Sequence, residues 1–407
     1  MTRKHILSGI KILDFTHAVA GPTATRLMAE MGADIIKVEL APTGDMIRSM
    51  PYFKDGRSGY FVQQNRGKKS LCLDLRKPEA VDILKKLAAQ SDILIENFTP
   101  GVIAEMGLGW EVVSELNPEL IYCSISAFGQ TGPLSKLPGY DYMGQAYAGV
   151  TSLIGDPEDG PMMPMLAMGD VNTGVHALAA ISSALFYRSQ GGGGQYIDCS
   201  LLDSYFHCQD MNVQLSSNTN GEVQPSRNGR HHPAVAPDGI FKGRDSYMFI
   251  IALTPKQWQA LCGVLGREEL IDDPRFVTFA DRAAHLPELV EIIEGWIQSM
   301  PSDDAARQAL EAAYVPVAPV LTPTEAMEHP HLIERGTVRT IRDRGLGEFQ
   351  IPGVPLRFSK FTELLPLEAP FLGEHNESIL RERLDMSAEE IARLGEDKVL
   401  VAEPVPA

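Results

Sequence analysis

The sequence predicts an α/β protein: a parallel sheet clothed by helices, with a smaller α+β domain set into the later part of the chain. Three observations carry this. In the first half, short apolar runs alternate with stretches of helical periodicity, the pattern of βαβ units. After residue 237 that pattern gives way to a hairpin and a series of helices. The length, 407 residues, is a soft prior for two or three domains.

The elements follow in order. Gly9-Ile-Lys-Ile-Leu-Asp-Phe15 reads as a strand. Pro22 opens a helix that runs to Glu30 and is stopped by Gly32. Asp34-Ile-Ile-Lys-Val-Glu39 and Ser70-Leu-Cys-Leu-Asp-Leu75 are further strands. Pro78 starts a helix over Glu79 to Gln90, with Ala80, Ile83, Leu84 and Leu87 at helical spacing. Asp92-Ile-Leu-Ile-Glu96 and Leu120-Ile-Tyr-Cys-Ser-Ile125 return to strand. Ser126 to Pro164 is rich in Gly and Pro, with one helix expected near Tyr142 to Leu153. An apolar helix follows Asp170 and ends at Gly191-Gly-Gly-Gly194. Gln195-Tyr-Ile-Asp-Cys199 is a strand, and Leu201 to Val213 a helix. Ile240 to Leu253 suggests a hairpin around Gly243-Arg244-Asp245. Helical patterns cover Pro255 to Leu265, Asp281 to Met300 and Asp303 to Ala313. Val315-Pro-Val-Ala-Pro-Val320 holds two prolines and cannot be a central strand, so it is extended or an edge. Val338 to Phe358 is β-type again. The expected division is 1–215 for the first part of the large domain, 216–237 for a linker, 238–325 for the small domain and 326–407 for a return that completes the large one.

Composition narrows the function classes. Hydrophobic residues are 44% and charged residues 22% of the chain, as in soluble globular proteins. The net charge of −17 argues against nucleic acid and anionic membrane as partners. The five cysteines are scattered without a C-x-x-C pair, so a reducing compartment, the cytoplasm, is expected. Met1 to Gly9 shows no long apolar leader, and no apolar run reaches membrane-spanning length. Arg66, Lys68 and Lys69 form a local basic cluster that either binds a phosphorylated ligand or is a solvated loop.

Asp170 stands out among the polar residues. It lies in Met168-Gly169-Asp170-Val171-Asn172-Thr173-Gly174, ahead of an apolar helix. Such an acid is commonly an N-cap, but a carboxylate can also be a nucleophile that forms acyl intermediates. Asp141, before Tyr142, has the same ambiguity. Gly191 to Gly194 lacks the helix and spacing of a dinucleotide fingerprint and reads as a connector. His231-His232 has no acid or Cys partner at ligand spacing, so no metal is expected. Met162, Met163, Met165 and Met168 suit an apolar tunnel or core. Ser200 lacks a nucleophile-elbow context.

Taken together, Asp14-Phe-Thr-His-Ala-Val-Ala-Gly-Pro22, Gly32 to Glu39, Gly44-Asp45, Asn65-Arg-Gly-Lys-Lys-Ser70, Glu96-Asn-Phe-Thr-Pro-Gly101, Phe128-Gly-Gln-Thr-Gly-Pro133, Gly139-Tyr-Asp141, Gly169-Asp170 and Leu372-Gly-Glu-His375 resemble, in order and spacing, the class III CoA-transferases. The resemblance runs from about Leu7 to about Leu380. It implies a large Rossmann-like domain built from both chain ends, a smaller inserted domain and an interlocked homodimer. It implies CoA thioesters as substrates, with no tightly bound cofactor, and Asp170 as the covalent residue.

By the same resemblance His17, Tyr140 and Asp141 belong to the catalytic site. Ala18, Glu39, Asn97, Phe98, Met106 and Lys69 are then candidates for holding CoA. Leu40 follows Glu39 where formyl-CoA transferase has an Arg, which leaves Arg48 as a substitute nucleotide contact. Backbone N–H groups near Gly169, or in the loop Gly229 to Pro233, are candidate oxyanion donors. The α-methylacyl-CoA racemases, a sister group, carry His in place of Tyr140. A phenol with an ordinary pKa of about 10 is a poor base near neutrality, so transfer to a small mono- or dicarboxylate is expected over racemisation.

Overall fold

The computed structural model describes residues 5–50 and 53–405. The first four residues of the stretch read for a leader, and the outermost ends of the expected large domain, lie outside them.

The chain folds into two compact units: 1–150, 164–213 and 330–407 form one, and 151–163 with 214–329 form the other. Residues 151–163, expected in the large domain, group with the second unit. No turn signal marks that excursion in a stretch uniformly rich in Gly and Pro.

The first unit is built on six parallel strands: β1 (Lys11–Asp14), β2 (Asp34–Leu40), β3 (Lys68–Leu73), β4 (Ile93–Glu96), β5 (Ile121–Ser126) and β6 (Gln195–Ser200). Their order across the sheet is β3-β2-β1-β4-β5-β6. This is the doubly wound order in which the chain reverses direction between β1 and β4. The helices of the first unit used below are α1 (Ala20–Glu30), α2 (Gly59–Asn65), α3 (Pro78–Ala88), α4 (Trp110–Leu116), α5 (Asp141–Tyr147), α6 (Met168–Ser189) and α7 (Leu201–His207).

Side-chain alternation along the strands makes two apolar layers. Ile12, Ile35, Ile93, Ile95, Ile121 and Cys123 face α1 and α6. Leu13, Ile36, Leu71, Leu94 and Tyr122 face α3, α4 and the C-terminal helices Asn376–Leu384 and Ala388–Glu396. Each fully buried Leu or Ile side chain contributes about 1.5–3 kcal/mol. Every residue of α1 is buried, including the polar Arg26 and Glu30. β6 is an edge strand, and alternate residues of it are exposed.

Two expected elements end early. The helix expected over Tyr142 to Leu153 stops at Tyr147, and only a 3₁₀ turn covers Thr151–Leu153; Gly149, with φ of 78°, breaks it. The helix expected over Leu201 to Val213 ends at His207, and another spans Asp210–Asn218.

In the second unit, β7 (Asp238–Lys242) and β8 (Tyr247–Ile251) form the hairpin, and β9 (Val317–Pro319) pairs with β8 on the edge that its prolines permit. Its core gathers Phe241, Met248, Ile250, Trp258, Leu261, Phe276 and Ile293. A hairpin of β10 (Val338–Asp343) and β11 (Gly347–Pro352) then lies in the returning part of the first unit.

Candidate active site

In doubly wound sheets ligands bind beyond the carboxyl ends of the strands, where the order reverses. Here that point lies between the turn after β1, Phe15 to Val19, and the turn after β4, Asn97-Phe98. The Asn97 side chain locks the two together: it accepts from the His17 N–H at 2.8 Å and donates to the His17 carbonyl at 2.9 Å. The Phe98 ring lies 5.4 Å from the His17 ring. A cavity of about 240 Å³ opens beside them, lined by Phe15, Thr16, His17, Lys37 to Leu40, Gly44 to Met46 and Phe98.

Ala18 has a φ of 61°, a left-handed conformation that a non-glycine residue adopts only when its surroundings hold it there. The holding groups are buried charges. The Asp45 carboxylate accepts from the Ala18 N–H at 3.1 Å and pairs with the Lys37 ammonium at 2.9 Å. Lys37 also donates to the Thr16 carbonyl at 2.6 Å. Lys68 pairs with Asp14 at 2.9 Å and donates to Asn65 at 2.8 Å. Asp14 in turn accepts from the Thr16 N–H at 2.9 Å.

Burial pushes the Asp14 and Asp45 carboxyls up, but Lys68 and Lys37 beside Asp14, and Lys37 beside Asp45, hold both below the usual range. Burial pulls Lys68 down to about 8. His17 is also lowered, chiefly by burial and against the pull of Asp45, so its imidazole is neutral at pH 7.

Asp170 occupies the third position of α6, with Met168 and Gly169 before it, so it is not the N-cap of this helix. Among the described residues, no donor reaches its carboxylate. Desolvation raises its pKa to about 7, and the negative charge of Asp141 adds to the rise. Asp141 is the first residue of α5 and does not cap that helix; Tyr140 holds the N-cap position without a side-chain bond.

Instead, the Asp141 carboxylate reaches the start of α6, where it accepts from the Asp170 N–H at 3.2 Å and from the Gly169 N–H. One helix thus caps another through a carboxylate that is 6% exposed. Glycine is required at 169, because a Cβ there would lie 2.1 Å from the Tyr205 ring and 2.3 Å from the Asp141 carboxylate. A Cβ at Gly174, one turn further on, would meet the Ala20 carbonyl at 2.5 Å. The start of α6 therefore packs directly against the helix that follows the His17-Ala18 turn. Tyr60 on α2 also feels the charges of Asp170 and Asp141. Tyr140 is 64% exposed.

Several expected residues are placed differently. Arg48 grips Glu39 with two bonds of 2.7 Å and stacks on Phe61 at 3.6 Å. It lines a separate cavity of about 800 Å³. The Glu39 carboxylate is taken by Arg48, the Ser70 hydroxyl at 2.6 Å and the Asp45 N–H at 3.1 Å. Lys69 pairs with Asp34 at 3.1 Å, on the opposite side of β3 from Lys68. Arg66 is tied to Glu30, with 2.6 Å from Nε to the carboxylate. The basic cluster is therefore consumed by internal pairs. Met106 closes the helical turn Val102–Glu105 and lines neither cavity.

Two of the candidate oxyanion donors are spent: the Gly169 N–H on Asp141, and the Gly229 N–H on the Gly155 carbonyl at 3.2 Å. The four methionines are exposed, Met165 at 88%. Among the described residues, no group of three His, Cys, Asp or Glu side chains could hold a metal, and no helix is long and apolar enough to cross a membrane. Sequence reasoning missed the roles of Asp14, Lys37, Lys68, Tyr60 and Tyr205. The available signal was Lys37, a charge inside an otherwise apolar strand run.

The strand order and the crevice at its reversal define the class, an α/β protein with a doubly wound parallel sheet. The comparisons with known proteins give the family. A family model described as CoA-transferase family III matches residues 7–376. The chain is 36% identical over 384 residues to succinyl-CoA:glutarate CoA-transferase of Mus musculus, covering 93% of this chain and 86% of that one. It is 33% identical over 416 residues to formyl-CoA:oxalate CoA-transferase of Streptomyces coelicolor, covering 98% and 100%. A CAIB/BAIF family protein from Brucella suis superposes with a TM-score of 0.82 at 33% identity, over 94% of this chain and 100% of that one. The chain belongs to CoA-transferase family III and is a CoA-transferase. These relatives are transferases by name, which favours transfer over the racemase alternative.

Proposed function

We propose that the enzyme moves CoA from an acyl-CoA thioester to a small carboxylic acid through covalent intermediates on Asp170. The observation that carries this is the Asp170 carboxylate itself: partly buried, unbonded and raised to about 7. A carboxylate stripped of donors is a better nucleophile than a solvated one, and near pH 7 it is ionised in about half of the molecules.

The carboxylate attacks the thioester carbonyl; the C–S bond breaks and CoA leaves as thiolate, giving a mixed anhydride. The thiolate attacks the aspartyl carbonyl of the anhydride, which yields an aspartyl-CoA thioester and frees the donor acid. The acceptor carboxylate attacks that thioester, releasing the thiolate and forming a second anhydride. The thiolate then attacks the acceptor's acyl carbon, which produces the new acyl-CoA and restores Asp170. Each step exchanges one activated acyl bond for another, so no ATP enters. Water must be kept out, because it would hydrolyse both anhydrides.

In this reading the crevice at His17, Ala18, Asn97 and Phe98 holds CoA, Asp141 fixes the start of α6, and Tyr140 orients the acid. The names of the relatives support succinate, glutarate or oxalate as the kind of acid used. Met168, Val171, Val175, Phe186 and Phe206 on α6 and α7 are exposed apolar residues, which fits a homodimer that covers them. The cysteines are free thiols, which fits the cytoplasm.

The test is to incubate the enzyme with succinyl-CoA or acetyl-CoA and a panel of mono- and dicarboxylates. New acyl-CoA is expected for at least one acid. Exchange of the α-proton with deuterated solvent, without movement of CoA, would contradict the transfer reading.

A further inference from the structure

Glu96 is a buried carboxylate that meets no positive charge. It ends β4 and is 2% exposed. Other buried acids of the first unit are paired: Asp14 with Lys68, Asp45 with Lys37 and Glu39 with Arg48. Glu96 instead accepts from the Phe98 N–H at 2.8 Å and from the Ser124 hydroxyl. Burial pushes its pKa up to about 7 against those bonds, and the charge of Asp198 adds to the rise. A cation beside such a group would relieve it.

Strand register explains what surrounds it. Glu96 lies level with Ser124 on β5, and Ser124 with Asp198 on β6. Two residues earlier on the same face, Tyr122 lies level with Tyr196. An acidic row and an aromatic row therefore run side by side across three strands. Trp110, the first residue of α4, closes the corner. Its ring lies 6.1 Å from that of Tyr122 and 6.0 Å from that of Tyr196, and the two tyrosine rings are 5.6 Å apart. The Tyr122 hydroxyl donates to the Leu108 carbonyl at 3.1 Å, which fixes its ring.

A cavity of about 270 Å³ opens here. The three rings, Glu96, Glu111 and Gln130 are on its wall; no Lys, Arg or His is. It shares no lining residue with the crevice at His17. Aromatic faces carry negative charge density and attract cations, and both acids add to that field. An anion would meet only like charge. A bare metal ion is a poor match, because among the described residues no three ligating side chains gather. The Gln130 Nε2 is buried without an acceptor, so the wall offers one donor as well. The volume is near the lower end for ligand pockets, about 300–1,000 Å³, which suits a small molecule.

We infer that this cavity binds a small organic cation, an amino alcohol of the quaternary ammonium kind, with its charged group between the aromatic rings and the Glu96 carboxylate and its oxygen accepting from Gln130. The inference needs neither Asp170 nor the CoA crevice, so it stands apart from the proposed transfer chemistry.

The experiment is calorimetric titration of the whole enzyme with three probes: choline, tetramethylammonium, and the neutral isostere of choline in which a tert-butyl group replaces the trimethylammonium. Both cations should bind, and the isostere should bind at least about ten-fold more weakly than choline. Glu96→Gln keeps an oxygen for the Phe98 N–H but removes the charge. It should weaken choline at least about ten-fold and leave the isostere unchanged, and Trp110→Leu should weaken both cations by a similar factor. Gln130→Leu should weaken choline and not tetramethylammonium. No binding of either cation, equal binding of the isostere, or undiminished binding to Glu96→Gln overturns the assignment. Choline binding unchanged in Gln130→Leu overturns its amino-alcohol part. The comparison of choline with its isostere needs no variant, so it decides the question even where a substitution disturbs the fold.

Discussion

Beneath the β1–α1 turn every buried charge has an opposite charge against it; at the start of α6 none does. Asp14 with Lys68, Lys37 with Asp45 and Glu39 with Arg48 all pair at 2.7–2.9 Å. Asp170 and Asp141, by contrast, are neighbouring like charges. Matched pairs in a dry interior gain their value as geometry, because removing one partner strands the other. Mismatched charges store reactivity, because their energy falls when a substrate or a bond relieves them. The first region holds a strained backbone still, and the second leaves a buried carboxylate without a donor, the property on which the proposed nucleophile rests.

The largest test of that contrast is Asp170→Asn. The variant should lose transfer activity by about 10⁴-fold or more, since the covalent route is gone, and it should also be the more stable protein. The sign follows from linkage: the folded pKa of about 7 lies above the usual carboxyl value of about 3.9. Folding therefore loses stability as pH rises from about 4 to about 7. Thermal melts should show the Asn variant above the wild type at pH 8, with the gap shrinking as pH falls toward 4. A variant that melts lower at pH 8 would mean that Asp170 is a structural cap after all.

Asp45→Asn should do the reverse. It leaves Lys37 buried without its closest partner and should cost about 3–5 kcal/mol in urea unfolding. If the loss is under about 1 kcal/mol, the ion pairs under the turn do not hold it.

Asp141→Asn sharpens the comparison at the site itself. The amide oxygen can still accept from the start of α6, so the helix cap survives while the like charge disappears. The acidic limb of kcat/KM against pH, set by Asp170, should move to lower pH. An unmoved limb would assign it to another group.

Ala18→Gly is expected to have the smallest effect. Glycine adopts a φ of 61° without strain, so stability should rise by about 0.5–1 kcal/mol with little change in KM for the CoA ester. A fall in stability would show that the methyl group matters more than the backbone.

Much of the sheet was legible because its strands are apolar on both faces and its helices are punctuated by Pro22, Gly32 and Pro78. Asp170 stood out because an acid beside an apolar helix is conspicuous, but only the family resemblance marked it as the candidate covalent residue. The charges beneath the turn were not. Lys68 and Lys69 are adjacent in sequence and read as one basic patch, yet strand alternation sends one into the core against Asp14 and the other out to Asp34. Sequence alone does not say which side of β3 faces inward. Arg48 was read as a ligand contact because its partner, Glu39, lies on another element.

In the proposed mechanism the Asp170 carboxyl carries acyl and CoA groups in turn. The direct measurement is peptide mapping by mass spectrometry after turnover with an acyl-CoA and quenching with hydroxylamine. A hydroxamate at Asp170, absent when donor is omitted, is the expected result. A hydroxamate at any other residue, or transfer of CoA that proceeds with Asp170 unmodified throughout, would contradict it.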